Sequence, residues 1–300
     1  MRKNRGFILV SVMFATVTLL TSATAFAWFA RTEARAAAAR ERNYLFRSVA
    51  EIAAKTVHRM ITEDANGFDS FTEPLYDPEK YLEMEIGRYK VEVRVQPLNN
   101  KIPIGGLLLP DGVTLRSEYE AAWTNIWKNI GLPRLAWDVL DFIDADSDQR
   151  LGGAERDINI NRMISDLSEL RVIPEITNGV LWGNEDIPSG LTMYAAVGND
   201  EKINVNVAAP EVLAALDDTL TLSHARNIVA YRQVNPIRDI DGLRKVPGFP
   251  PELATKLANV IAFDSTLFQI NIKVSDEAGN VRSYRITIER GGSGFYGWEE

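Results

Sequence analysis

Hydrophobic positions fall along this chain in three different rhythms. From Phe7 to Ala30 they continue without a single charged residue. As a helix this run extends about 36 Å, enough to cross the apolar core of a bilayer. The hydroxyls inside it, on Ser11, Thr16, Thr18, Thr21, Ser22 and Thr24, can each bond a backbone carbonyl one turn back, so lipid tolerates them. Residues 31–62 contain no Gly or Pro and are rich in Ala, Arg and Glu. The pattern therefore predicts that the helix continues past the membrane without a break.

The second rhythm has period two. In residues 89–98, Tyr89, Val91, Val93 and Val95 alternate with Lys90, Glu92, Arg94 and Gln96, which predicts a half-buried strand. Residues 268–275 and 281–289 alternate in the same way around Asp276–Asn280, predicting a hairpin with Gly279 at a positive-φ turn position. Residues 63–85, with Gly67, Pro74 and Pro78, read as a loop leaving the long helix. One strand before and two after a long intervening stretch imply a single sheet interrupted by an insertion.

The third rhythm is helical and fills that insertion, 105–262. Trp123, Trp127, Leu135 and Leu140 lie at helical spacing around the Gly131-Leu132-Pro133 break, giving two amphipathic helices whose tryptophans pack a core. Residues 208–216, 222–232 and 252–263 read as further short helices, with Ser223 as an N-cap. The expected division is a segment 1–6, a transmembrane helix 7–30, its continuation 31–62, a core from 63–104 and 263–300, and the helical insertion 105–262.

Composition narrows the chemistry. The 300 residues hold 33 basic and 41 acidic side chains, a net charge of −8, which disfavours nucleic-acid binding through a whole-surface field. There is no cysteine and there are only two histidines, so thiol catalysis, thiolate zinc sites and disulfides are excluded. The chain carries no G-x-S-x-G elbow, H-E-x-x-H pair or Walker A loop. Ser223 beside His224 makes adjacent residues of a helix start, not a nucleophile and its base. The expected role is not enzymatic.

Asp144 to Glu155, DADSDQRLGGAE, is the sharpest local signal. Asp144, Asp146 and Asp148 hold positions one, three and five of an EF-hand-type loop. Arg150 holds the seventh, whose carbonyl faces the ion, Leu151 the apolar eighth, and Glu155 the twelfth. Calcium wants about six to eight hard oxygens, and alternate carboxylates on a tight loop converge on one point. Gln149 replaces the glycine of position six, although Gly152 and Gly153 follow. A solvated acidic turn between helices is the competing reading.

Residues 203–262 resemble tandem helix-hairpin-helix modules, whose hairpin amides face DNA phosphates. The hairpin here is Val246 to Pro250. Pro247 and Pro250 have no amide hydrogen to give, and Arg244, Lys245 and Lys256 are the nearby cations. Helix packing is the favoured role. The alternative is a membrane-anchored periplasmic DNA-binding protein.

At the amino terminus, Arg2, Lys3 and Arg5 precede Gly6, and Phe7 opens the apolar run. A secretory signal cleaved near Ala27 shares this front end, and arginines on both flanks leave the orientation undecided by charge. Together with the long continuing helix, however, the segment resembles the leader of type IV prepilin-like proteins. That resemblance implies cleavage by a prepilin peptidase between Gly6 and Phe7 and methylation of the new terminus. It also implies a cytoplasmic N-terminus and a single-pass inner-membrane anchor carrying a periplasmic domain. Most members have a glutamate at the fifth mature position, which pairs with the terminus of a neighbouring subunit. Here that position is Ser11, and an uncharged fifth residue marks the K-type minor pseudopilin of type II secretion.

K-type pseudopilins also have an Asp-rich stretch ending in Gly-Gly-Ala-Glu that binds calcium, matching 144–155. They further have an Asn-x-Asn-x-Ala segment followed by a hairpin without a DNA role, matching Asn204 to Ala208 and Val246 to Pro250. The implied fold is α+β. A long N-terminal transmembrane helix leads into a type IV pilin-like core with an antiparallel sheet, interrupted by a large, mainly helical inserted domain. The implied function is a tip subunit that initiates pseudopilus assembly and aids protein export across the outer membrane. Its implied partners are I-type and J-type minor pseudopilins, the prepilin peptidase, the inner-membrane assembly platform, and secreted cargo or the outer-membrane secretin. Nucleic acid is not an expected partner.

Overall fold

The computed structural model describes residues 4–198, 202–292 and 294–299. Residues 1–3 of the expected leader thus lie outside the described residues. Helix α1 runs unbroken over Asn4–Glu63, as the absence of Gly and Pro after residue 30 requires. Its far half is amphipathic. Phe46, Val49, Ala50, Ala53, Ala54, Val57 and Ile61 recur every three or four residues and are all buried, forming one face.

That face lies on a five-stranded sheet. Strands β1 (Leu82–Ile86) and β2 (Tyr89–Pro97) form a hairpin whose two-residue loop places Gly87 at φ +61, a conformation that favours glycine. After β2 the chain leaves the sheet. It returns as β7 (Leu267–Ser275), β8 (Val281–Glu289) and β9 (Phe295–Glu299). The order is β1-β2-β7-β8-β9, antiparallel throughout. β2 pairs β7 with Val93 opposite Ile272, so strands some 170 residues apart close the sheet as neighbours. Val91, Val93, Val95, Ile270, Ile272, Val274, Ile286 and Ile288 all face α1 and are buried, as period two demands. The interrupted sheet expected from the sequence is therefore present, extended at both edges by strands the alternation did not announce.

Between β2 and β7 the chain builds a second core, from Ile102 to Ile261. It comprises β3 (Ile102–Pro103), α2 (Ser117–Ile130), α3 (Leu135–Ile143), α4 (Asn178–Trp182), α5 (Leu191–Tyr194), β4 (Ala195–Ala196) and β5 (Ile203–Asn204). Then follow α6 (Pro210–Ala215), α7 (Leu222–Arg232), α8 (Ile240–Arg244), α9 (Pro251–Leu257) and β6 (Ile261–Ala262). Gly131 at φ +88 caps α2 in the left-handed conformation, the geometry that lets the chain turn into α3. Trp123 and Trp127 are fully buried and meet edge to face, and the Trp123 indole donates to the Ala136 carbonyl at 2.7 Å. The mixed helix and antiparallel-sheet architecture agrees with the fold class expected. Ser223 is not the N-cap of α7. Thr221 is, accepting from the His224 amide at 3.2 Å, because a residue already inside the first turn cannot cap it.

Candidate functional site

The amino-terminal half of α1 packs against nothing in the chain. From Phe7 to Arg35 every residue is exposed, and the apolar window has a mean hydropathy of 2.0 with none of it buried. Phe7 is 76% exposed and Phe14 74%, a liability in water and the natural state in lipid or against partner helices. The hydroxyls behave as the sequence predicts. Ser11 donates to the Phe7 carbonyl at 2.9 Å, Thr16 to Val12 at 2.7 Å and Thr18 to Phe14 at 2.8 Å. Ser11 therefore offers a closed hydroxyl where a carboxylate would reach outward. Gly6 and Phe7 lie within the same unbroken helix. Beyond the apolar run, Ala37, Ala38 and Ala39 are also exposed, with Ala36 half-buried.

The acidic loop leaves the end of α3. That helix buries Asp138 and Asp141, and Asp144 caps its C-terminus in an extended conformation, itself fully buried. Arg150 closes the loop. Its guanidinium bonds the Asp144 carboxylate at 2.6 Å, lies 3.3 Å from Asp141, and donates to the Val113 carbonyl. Burial pushes the Asp144 pKa up to about 6. Arg150 opposes that rise, while Asp146, Asp141 and Glu155 add to it. Asp141 is raised for the same first cause. Asp146 accepts from the Asp148 amide at 3.0 Å, and Asp148 is exposed.

This is not EF-hand geometry. Position six, Gln149, has no positive φ. The left-handed turn comes at Gly152, φ +89, and the Gln149 amide donates to the Gly153 carbonyl at 2.6 Å. Leu151, at the apolar eighth position, is 99% exposed. The Arg150 carbonyl accepts from the Gly153 amide at 3.0 Å. Among the described residues no three carboxylates or imidazoles are gathered as a metal ion requires. The donor chemistry nevertheless suits a hard cation. One buried oxygen on Asp144 and one on Glu155 have no hydrogen-bond partner, an expensive arrangement for carboxylates. Gly153 keeps the space tight, since a Cβ there would fall 2.2 Å from the Asp141 carboxylate.

In the hairpin, Gly248 sits at φ +75, but the amides of Val246 and Phe249 are spent on the carbonyls of Leu243 and Val246. Lys256 is paired with Asp217. Arg244 bonds Asp241 at 2.7 Å and Thr255 at 3.0 Å. The donors a phosphate cradle needs are thus largely engaged within the insertion.

Sequence reasoning missed the place where the two cores meet. Asn204 and Asn206, quoted only as part of a motif, are completely buried. The Asn204 amide donates to the Asp69 carbonyl and to Ser265 Oγ, both at 3.0 Å, while its oxygen accepts from the Asn206 amide nitrogen at 2.8 Å. Asn206 pairs with both backbone groups of Ile237 and donates to the Phe263 carbonyl. Beside them Arg290 forms an ion pair with buried Asp69 and donates to the carbonyls of Ile61, Asp64 and Ser265. Two asparagines one residue apart in an apolar stretch are the available signal, since polar side chains there must find buried partners.

This junction segment is also where the similarity to known proteins lies. Residues 203–264 match the family model described as type II secretion system protein K. No curated protein matches the chain. A chain of the crystal structure of the GspK-GspI-GspJ complex from the type 2 secretion system of enterotoxigenic Escherichia coli shares the fold at a TM-score of 0.56 and 15% identity. The match covers 86% of this chain and 96% of that one. The family match thus spans the junction of the two cores, and the fold around it is similar to that of a chain of the GspK-GspI-GspJ complex.

Proposed function

We propose that the protein stands at the tip of a type II secretion pseudopilus, initiates its assembly and aids export of proteins across the outer membrane. The observation that carries this reading is α1. Its exposed apolar half is built to pack in a membrane and then against other subunits, yet at Ser11 it offers a hydroxyl already bonded to Phe7. Without an outward carboxylate there, no subunit can be recruited above it by the usual charge pairing. A wide helical insertion on the pilin-like body suits an end position better than a place between subunits.

On this reading prepilin peptidase cuts between Gly6 and Phe7, and the new terminus is methylated. The anchor crosses the inner membrane once, with its head in the periplasm, and the assembly platform delivers it to the pseudopilus. I-type and J-type minor pseudopilins are the partners, by likeness to the complex whose fold it shares, with cargo or the secretin beyond them. Its work is structural, not catalytic. The test is Ser11→Glu in the intact system. The variant should enter pseudopilus interiors and reduce secretion, whereas normal assembly with no interior incorporation sinks the tip reading. Mass spectrometry of the mature terminus separates cleavage at Gly6 from cleavage near Ala27.

The acidic loop adds calcium to the proposal. Asp144, Asp146, Asp148, Glu155 and the Arg150 carbonyl would hold the ion, with the Arg150 side chain giving up its place beside Asp144. The ion would neutralise carboxylates that burial leaves costly and so stiffen the insertion.

A further inference from the structure

Arg232 ends α7 and is only 7% exposed. Among the described residues its guanidinium makes one hydrogen bond, from Nη1 to the Val205 carbonyl. Burial draws its pKa down to about 10, so the group stays charged at neutral pH. Three other arginines that reach inward are paired with carboxylates. Arg290 has Asp69, Arg150 has Asp141 and Asp144, and Arg156 has Asp138 and Glu175. A buried charge without a counter-charge is costly, and groups perturbed by burial cluster at functional sites.

Arg232 lines a cleft of about 450 Å³ between the loop that follows α1 and the end of α7. Phe71 and Val229 give this cleft apolar wall, Thr72 and Gln233 give it hydrogen-bonding groups, and Asp77 sits at its edge. Asp77 is already paired with Lys80 at 2.8 Å, so it does not neutralise Arg232. We propose that this cleft receives a carboxylate of a partner protein, an acidic side chain or chain end, held by the guanidinium fork of Arg232.

One buried guanidinium matches one carboxylate in charge and in planar geometry. A phosphate dianion would be undercompensated beside Asp77 and Glu79, which also line the cleft. The space exceeds what a free carboxylate fills, and its apolar wall suits the carbon stem of a side chain with the backbone that bears it. The inference goes beyond the tip reading and stands without it, because it rests on the cleft alone.

The test uses the full chain in a zwitterionic detergent with arginine labelled in nitrogen-15, following the Arg232 Nε–H resonance. The probe is the blocked dipeptide acetyl-Glu-Phe-amide, compared with its acetyl-Gln-Phe-amide counterpart, sodium acetate and inorganic phosphate. The Glu probe should shift the resonance saturably and salt-dependently, binding at least about tenfold more tightly than the Gln probe. Arg232→Gln should abolish this binding, measured by calorimetry. Thr72→Trp, which fills the cleft from an exposed loop position and leaves Arg232 in place, should do the same. Failure to saturate, equal binding of the two peptides, or acetate or phosphate binding as tightly as the Glu probe would overturn the proposal.

Discussion

Asp144 gives the loop its pH dependence. Its folded pKa of about 6 lies above the ordinary 3.8 because burial penalises the charged form, so the folded state holds its proton more tightly than the unfolded one. The linkage sign follows: the folded state gains from protonation, and that contribution is lost as pH rises from about 4 to about 6. With chelator present, the urea midpoint should therefore fall across this window, and Asp144→Asn should flatten the fall. Added calcium should raise the midpoint most at the upper end of this window, where Asp144 itself is charged. A midpoint indifferent to both chelator and calcium at pH 7 removes the calcium proposal. The acidic spacing from Asp144 to Glu155 was legible in the sequence. Four carboxylates within twelve residues call for a cation or a basic partner such as Arg150 or Arg156, and it is the Arg150 side chain, at a position otherwise read for its carbonyl, that turns inward to bind Asp144. The outward Leu151 comes from a backbone turn displaced from Gln149 to Gly152.

At the scale of elements, polar side chains fasten the end of α1 to the sheet, among them His58, whose Nε2 lies 3.1 Å from the Glu289 carbonyl, and Arg290. Arg290 follows β8 and reaches the carbonyls of Ile61 and Asp64 at the end of α1, at 3.0 and 2.9 Å, while pairing with Asp69. Arg290→Met removes those bonds and leaves Asp69 buried without its partner, so it should cost about 3–5 kcal/mol in denaturant unfolding. A loss below about 1 kcal/mol would show that the helix end is held by apolar packing of Ile61 and Val57 and by the His58 bond to the Glu289 carbonyl. The long helix and strands β2, β7 and β8 were legible because their periods are clean over nine or more residues. β1 was hidden in the expected loop, as Leu82, Met84 and Ile86 alternate with glutamates on an edge that buries them only partly. The Gly87-Arg88 pair before Tyr89 was its usable signal, a two-residue hairpin loop. β9 escaped because five residues containing Gly297 carry almost no period of their own.

For the whole molecule, the question is whether two cores unfold as one. The pilin-like core and the insertion share few apolar contacts in their hydrophobic clusters, and buried polar bonds cross between them instead. Asn204 sits on β5 of the insertion, yet its amide bonds Asp69 and Ser265 of the pilin-like side. Hydrogen bonds in a dry junction are directional and fail abruptly when a partner is lost. Asn204→Ala orphans the Asp69 carbonyl and the Asn206 amide together, which should cost at least about 2 kcal/mol. It should also separate a single urea transition into two, one followed by Trp123 and Trp127 fluorescence in the insertion and the other by far-UV loss of α1 and the sheet. The segment matched by the family model, 203–264, contains both asparagines, whose side chains bond Asp69, Phe263 and Ser265 across the junction. If Asn204→Ala kept coincident transitions and changed stability by less than about 0.5 kcal/mol, the two cores would have to be coupled through other contacts, such as the Asn206 bond to the Phe263 carbonyl. Further candidates would then be the parallel pairing of β5 with β6 and the bond from the Asn204 amide nitrogen to the Asn99 carbonyl at 2.8 Å.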